Sequence, residues 1–547
     1  MKLSSFILHF RQLLQKIFGR KFPVVPSHNN TPQRPISIIS VRFSDEFEQN
    51  IACSPCAVNP LNQLITVDNT ANVFYYSLSE AINEGLAKAK HDLLVVVHED
   101  VYLPEGWHAC LETALAALEA YDTEWGVLGT AGVSAEGVLR GHYSDPNNYC
   151  NTFKKNEWFT PISSIDEHLM IFRKSSGYSM DNLHPGIHGI GTDLVLSAQQ
   201  KGARCYVINA PSIHKYKDAQ GKIINSIDDS PKIIDRVNYA YIADKQCCDD
   251  YIRYKWDALT PFSSIVTQYE KWRHPADDLK GLPLEILACL DNPIILLGKG
   301  GGGSRMLSFL VEDCGVCLGN TVNVSGDCMD MVIAVYQGVI EKYKCKAAWQ
   351  KELLVSQLRL AAVRMLKSMD SAKRALWGFK LPENLLLLPE LNQAFPCARY
   401  IQMFRNPVKT CLRRTHMTAR LDNQIGRVTL PLAYREAGLP VSQILADSSA
   451  LRMAYTTLHQ LKCALSFCRN QLDSSRYYEV YFEDLLTKPD ESVRNVCNWL
   501  SVKQVSHTLA SEVDLKRSSR PGIMYQEDIE KKVKEILRPL MTTLNYE

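Results

Sequence analysis

Apolar residues fall mostly into short runs separated by polar turns, with a few stretches of helical period between them. PISIISVRF (35–43) and LITVD (64–68) read as strands, the second ending on Asp68-Asn69-Thr70. Leu78, Ile82, Leu86 and Ala89 share one face of a helix over roughly 77–90. DLLVVVHEDVYLP (92–104) follows. Its unbroken apolar run, Leu93 to Val97, is what a central parallel strand covered on both faces requires. Strand, helix, strand in this rhythm predicts an open α/β sheet. A helix opening near Asp193 and closing at Gly202 then leads to a strand at 205–208 and on to His214.

Past the midpoint the pattern starts afresh. IILLGKGGGGSRML (294–307) reads as a short strand, a glycine run and a helix start. The consecutive glycines Gly300, Gly301, Gly302 and Gly303 let successive N–H groups converge on an anion at a helix N-terminus. A strand from Tyr400 to Phe404 ends on Arg405, Asn406-Pro407 breaks it, and a helix begins near Val408. An arginine at a strand end beside a helix start makes a second anion site. YYEVYFEDLLTKPDESVRNVCNWLSV (477–502) adds a strand, a loop and a helix over about 489–500.

Breaks in composition divide the chain. Residues 22–35 hold four prolines and read as a linker, and Lys280-Gly281-Leu282-Pro283 marks a second boundary. The expected parts are 1–34, 35–280 and 281–547. A formal charge of +2 excludes a general nucleic-acid binder, which needs a basic excess to displace counterions. Seventeen cysteines without regular spacing point to reduced thiols, and the pairs Cys53/Cys56 and Cys314/Cys317 read as free thiols near element ends. No apolar run is long enough to span a bilayer. Residues 4–21 instead place Phe6, Phe10, Leu13, Leu14 and Ile17 on one helical stripe, with Arg11, Lys16, Arg20 and Lys21 outside it. That segment either lies on an anionic membrane surface or docks on its own domain.

The candidate chemistry sits at strand ends. His98-Glu99-Asp100 follows a buried strand, where open α/β sheets form their ligand crevice. Carboxylates there are hard ligands for Mg²⁺ or Mn²⁺, although a solvated acidic loop looks the same in sequence. Asp193, after two glycines at a helix start, is a stabilised anion or simply a cap. Laid over Gly298 to Arg305, the nucleotide-kinase loop pattern puts Ser304 in the lysine position and Arg305 in the Ser/Thr position. The Mg²⁺-binding hydroxyl is missing, so a metal-independent phosphate cradle with Lys299 and Arg305 as its cations fits better.

Between residues 35 and 220 the ordered pieces VDNT, VVVHEDVYLPEGW, DEHLMIFRK, GTDLVL and the late histidine resemble GT-A-fold glycosyltransferases of the family 2 type, in a His-x-Asp variant. The resemblance implies that Asp100 binds a divalent cation and the diphosphate of a nucleotide sugar, with His214 as a further metal ligand. It implies Asp68 near the nucleoside and Asp193 as general base, although Thr192 replaces the glutamate that normally precedes that base. Over 292–503, the glycine stretch, WGFKLPENLLLLPEL, Arg405 and YFEDLLTKPDESVRNVCNWL resemble sulfotransferases that use 3′-phosphoadenosine 5′-phosphosulfate (PAPS), with a parallel-sheet, P-loop-like α/β fold. Here the implied roles are Lys299 or Arg305 facing the sulfate, Gly300 to Ser304 cradling the 5′-phosphosulfate, and Arg405 holding the 3′-phosphate. The family's serine falls on Arg413, so the 3′-phosphate is held differently here, by Thr410 or Arg413. Asp327 is the candidate base or a structural cap, and Lys516, Arg517 and Arg520 either cover the 3′-phosphate or form a solvated loop.

The combined expectation is a bifunctional enzyme that transfers a sugar with inversion and a sulfuryl group from PAPS to a carbohydrate acceptor, a polysaccharide or glycolipid. It would be cytoplasmic, at the inner face of the membrane if residues 4–21 dock there. A sulfotransferase whose first half only binds acceptor, and a non-catalytic nucleotide- or glycan-binding scaffold, are the alternatives.

Overall fold

The computed structural model describes residues 20–27, 32–75, 77–146, 148–225, 236–413, 415–513 and 527–546. The 4–21 segment, apart from Arg20 and Lys21, and the basic run Lys516, Arg517 and Arg520 lie outside them. The chain forms two compact units, Met1–Ile233 with Lys245–Trp272, and Ile234–Asp244 with Arg273–Glu547. Both are mixed α/β.

In the first unit the larger sheet runs in the order Gln63–Asp68, Ile36–Arg42, Leu93–Val97, Leu169–Arg173, Leu128–Gly129, Cys205–Ile208, Phe159–Ile162. The first three strands are mutually parallel, so Arg42, Asp68 and the residues after Val97 emerge on one edge. Leu93, Val95 and Val97 face the Trp107–Glu119 helix through Trp107, Leu111 and Leu115. Leu94 and Val96 pack on the other side with Leu78 and Ile82 of the Leu78–Lys88 helix and Leu194 and Val195 of the Ile190–Gln200 helix. Burial on both faces explains why this strand has no polar alternation. A smaller sheet brings Ser212–His214 beside Val101–Tyr102 and Leu139–Asp145.

The second unit is built on four parallel strands in the order Gly378–Lys380, Ile294–Gly298, Arg399–Phe404, Tyr477–Tyr481. The Arg305–Asp313 helix covers Ile294 and Leu296 through Leu307, Leu310 and Val311, beside Val493 and Val496 of the Pro489–Leu500 helix. Among the described residues no helix is long and apolar enough to cross a membrane. The cysteines are free thiols, with Cys314 and Cys497 sulfurs 3.3 Å apart in this core.

Tyr251 and Trp256 are buried, whereas Tyr241 and Tyr254 are exposed. They share the Arg236–Lys255 stretch but point to its wet side.

Candidate active sites

In the first unit, His98 and Asp100 leave the end of the Leu93–Val97 strand, and His214 ends its own strand antiparallel to Val101–Tyr102. One ligand atom from each of His98, Asp100 and His214 lies within 4.8 Å of the others. His214 Nε2 is 3.3 Å from Asp100 Oδ1, and its Nδ1 is 3.0 Å from Asp145 Oδ2. His98 Nε2 is buried with no hydrogen-bond partner among the described residues.

Electrostatics set these groups apart. Burial pushes His98 down to about 4, so its imidazole is neutral. Burial works against the charges on Asp100 and His214, but their mutual attraction outweighs it. Asp100 is held well below the usual carboxylate range and His214 up to about 10. Two imidazoles and one carboxylate, with an orphaned buried nitrogen aimed among them, fit a divalent transition ion such as Mn²⁺ better than Mg²⁺, which prefers oxygen ligands. Asp145, bonded to the far nitrogen of His214, has the position of an orienting carboxylate.

Three acidic residues nearby behave differently. Asp68 turns back on Thr70, accepting from its N–H at 2.9 Å and its hydroxyl at 2.6 Å. Glu99 points away from the triad and accepts from the Phe43 and Ser44 N–H groups and the Ser44 hydroxyl. Asp193 lies in the first turn of its helix but is buried. Trp256 Nε1 donates to its Oδ1 at 2.7 Å, and Lys255 Nζ stands 2.8 Å from Oδ1 and 3.0 Å from Oδ2. Both its oxygens are therefore engaged. Glu167 instead faces a small cavity, about 30 Å³, shared with His188, Thr192 and Tyr269.

In the second unit the glycine run does make a turn into a helix. Gly301 and Gly303 adopt left-handed conformations (φ 89° and 92°), and Gly301, Gly303, Ser304 and Arg305 line a cleft of about 500 Å³. Arg413 and Phe482 line it too, with Ser511, Glu512 and Val513 on its outer wall. That wall hangs from Asp313. Its buried carboxylate accepts from Ser506 Oγ and the Thr508 and Leu509 N–H groups, at 2.5, 2.7 and 2.9 Å.

The two candidate sulfate-facing cations diverge. Arg305 reaches the cleft, whereas Lys299 turns beneath the loop, donating to Thr418 Oγ1 at 2.8 Å and Gln460 Oε1 at 2.5 Å. Gly300 lies against His416, whose ring occupies the space a Cβ would need. Arg405 stacks on Phe482, 4.2 Å from the ring centroid, so it flanks the cleft through that side chain. The Thr410 hydroxyl donates to the Asn406 carbonyl at 3.0 Å. Asp327 is buried against Lys380, Oδ1 to Nζ 3.0 Å, and Lys380 also reaches Ser304 Oγ at 3.2 Å.

Asp145, His416 and Lys255 carry no signal in the sequence, and Lys380 stands there only as part of WGFKLPENLLLLPEL, with no role of its own. Lys380 was the most accessible of them, because it ends a strand paired with the one before the loop (Leu296 opposite Lys380). The others meet their partners only through the tertiary fold.

Burial pushes the Lys299 ammonium down to about 8. The unfolded chain then binds more protons than the folded one between pH 8 and the ordinary lysine value, so stability rises with pH in that window. Relative to Lys299→Met, the wild type is expected to gain on the order of 2 kcal/mol as pH climbs from 8 to 10. Parallel denaturation curves would measure this, and a pH-independent difference would reject it.

The Sulfotransferase family model matches residues 317–506, a span that begins after the glycine loop and includes Asp327, Lys380, Arg405 and Arg413. Among curated proteins, the chain is 29% identical over 140 residues to ATP synthase subunits region ORF 6 of Fuscovulum blasticum, covering 24% of this chain and 54% of that protein. The chain thus spans about half the length of that relative. Among solved structures it is similar to sulfotransferase STF9 from Mycobacterium avium (12% identity, 58% of this chain, 98% of that one, TM-score 0.32). It is also similar to a mannosyltransferase from Pyrobaculum calidifontis solved with GDP-Man and Mn²⁺ (12% identity, 48% and 73%, TM-score 0.26). TM-scores of this size do not establish a common fold.

Proposed function

We propose that the second unit transfers a sulfuryl group from PAPS to a carbohydrate hydroxyl and that the first transfers a sugar from a nucleotide sugar. The observation that carries the first half is the convergence of Gly301, Gly303, Ser304, Arg305 and Arg413 on one cleft, in a unit whose sequence matches the sulfotransferase model. A cleft of this size accepts a nucleotide-sized ligand. N–H groups of the loop and the Arg305–Asp313 helix start suit a phosphosulfate, and Arg305, with Lys380 behind Ser304, would supply positive charge to a bridging oxygen as it gains negative charge. Asp327, paired with Lys380, is the candidate acceptor of the hydroxyl proton.

For the first unit the support is the His98, Asp100 and His214 cluster at the end of the parallel strands. A bound Mn²⁺ would neutralise the diphosphate leaving group. The engagement of Asp193 by Lys255 and Trp256 favours a second reading, in which this unit only binds acceptor. The test is purified full-length protein with labelled PAPS, a panel of nucleotide sugars with Mn²⁺, and glycan acceptors. Transfer from both donors is expected. Sulfation without sugar transfer selects the second reading, and transfer from neither rejects the proposal.

A further inference from the structure

Arg20 is bonded through all three guanidinium nitrogens behind the His98, Asp100 and His214 cluster, although it lies more than seventy residues before His98 in the sequence. Its guanidinium is buried and donates from Nε to Ser144 Oγ at 3.1 Å. Nη1 donates to the carbonyls of Lys215 and Ile224, at 2.6 and 2.7 Å. Nη2 donates to the carbonyls of Ser144 and His214, at 3.3 and 2.5 Å.

Two of these partners flank the triad directly. Ser144 precedes Asp145, the carboxylate on His214 Nδ1, and the His214 carbonyl belongs to the ligand itself. Another of the four, Lys215, has φ of 49°, a left-handed conformation that costs energy in a non-glycine residue and persists only where the surroundings hold it. Its N–H donates to the Asp100 carbonyl at 2.7 Å while its own carbonyl accepts from Arg20. One planar fork of donors thus ties together the strand end carrying His214, the strand end carrying Asp145 and the strained turn that meets Asp100.

We infer that Arg20 is a positioning residue for the metal cluster, fixing the His214 ring and its orienting carboxylate from behind. The inference rests on the metal reading of His98, Asp100 and His214. Loss of such outer partners weakens metal binding by about 10–100-fold, and a shift of that size is expected for Arg20→Ala. Arg20→Lys keeps the charge but not the fork and should fall between.

The measurement is Mn²⁺ titration of the full chain, followed by the electron paramagnetic resonance signal of free ion, with melting curves run alongside. If Arg20 acts through His214, Asp145→Asn weakens binding too, and the double variant falls no further than the worse single one. Arg34→Ala, which removes bonds to Glu112 and Glu119, should leave Mn²⁺ affinity unchanged. Wild-type affinity in both Arg20 variants overturns the inference while sparing the metal reading. Absence of Mn²⁺ binding in the wild type overturns both. Should Arg20→Ala not fold, Arg20→Lys decides alone: wild-type affinity overturns the inference, and a weakened, folded variant upholds it.

Discussion

Asp100→Asn is expected to abolish Mn²⁺ binding and lower sugar transfer by roughly 10²–10³-fold, while sulfuryl transfer from PAPS continues at the wild-type rate. Asparagine keeps the size of the side chain and removes its charge. Asp100 is the carboxylate of the cluster, and its attraction to His214 is what overcomes the cost of burying both groups. Without it, two imidazoles face each other with no anionic ligand between them. The separation of activities follows from Asp100 and the glycine cleft belonging to different compact units, each with its own core. Parallel assays with a nucleotide sugar and with PAPS read the two effects. A variant that still transfers sugar at the wild-type rate would remove Asp100 from the reaction.

Gly300→Ala should be nearly as damaging to the other activity. A Cβ there would lie 2.1–2.3 Å from three atoms of the His416 ring, and that ring is buried beside Thr418. The loop must rise or the ring must move. Overpacking of this kind costs about 1–3 kcal/mol. A displacement of about 1 Å in a group that orients substrate costs on the order of 10²-fold in rate. Sulfation should therefore fall by about that factor, with a raised KM for PAPS. Removing the obstacle tests the cause, since Gly300→Ala combined with His416→Ala should recover part of the loss. No recovery would mean that the glycine serves some purpose other than passage over His416.

Local pattern revealed the framework well. The run Leu93 to Val97 is a strand with those limits, and its two faces enter separate halves of the core. The glycine stretch, Arg405 and the 489–500 helix also stand where periodicity and turn chemistry put them, because each is decided within a dozen residues. What sequence could not show is the direction a side chain takes once its neighbours arrive. Lys299 and Arg305 look equally suited to an anion, yet Thr418 and Gln460 draw the lysine under the loop. Asp193 reads as a helix-start anion or cap, but Lys255 and Trp256 close over it. Arg20, written into a basic amphipathic segment, is claimed by carbonyls more than a hundred residues away. Deleting 4–21 to probe membrane attachment would therefore also remove a support of the metal cluster. Deleting 4–19 separates the two.

The Asp313 carboxylate gives the glycine-loop cleft an unusual mechanical property. The helix whose first turn forms the floor of the cleft carries, at its other end, the acid from which the outer wall is suspended. Floor and wall are thus coupled as the two jaws of a clasp on one rod. Any tilt of that helix would therefore be passed through Asp313 to the segment that carries Ser511, Glu512 and Val513.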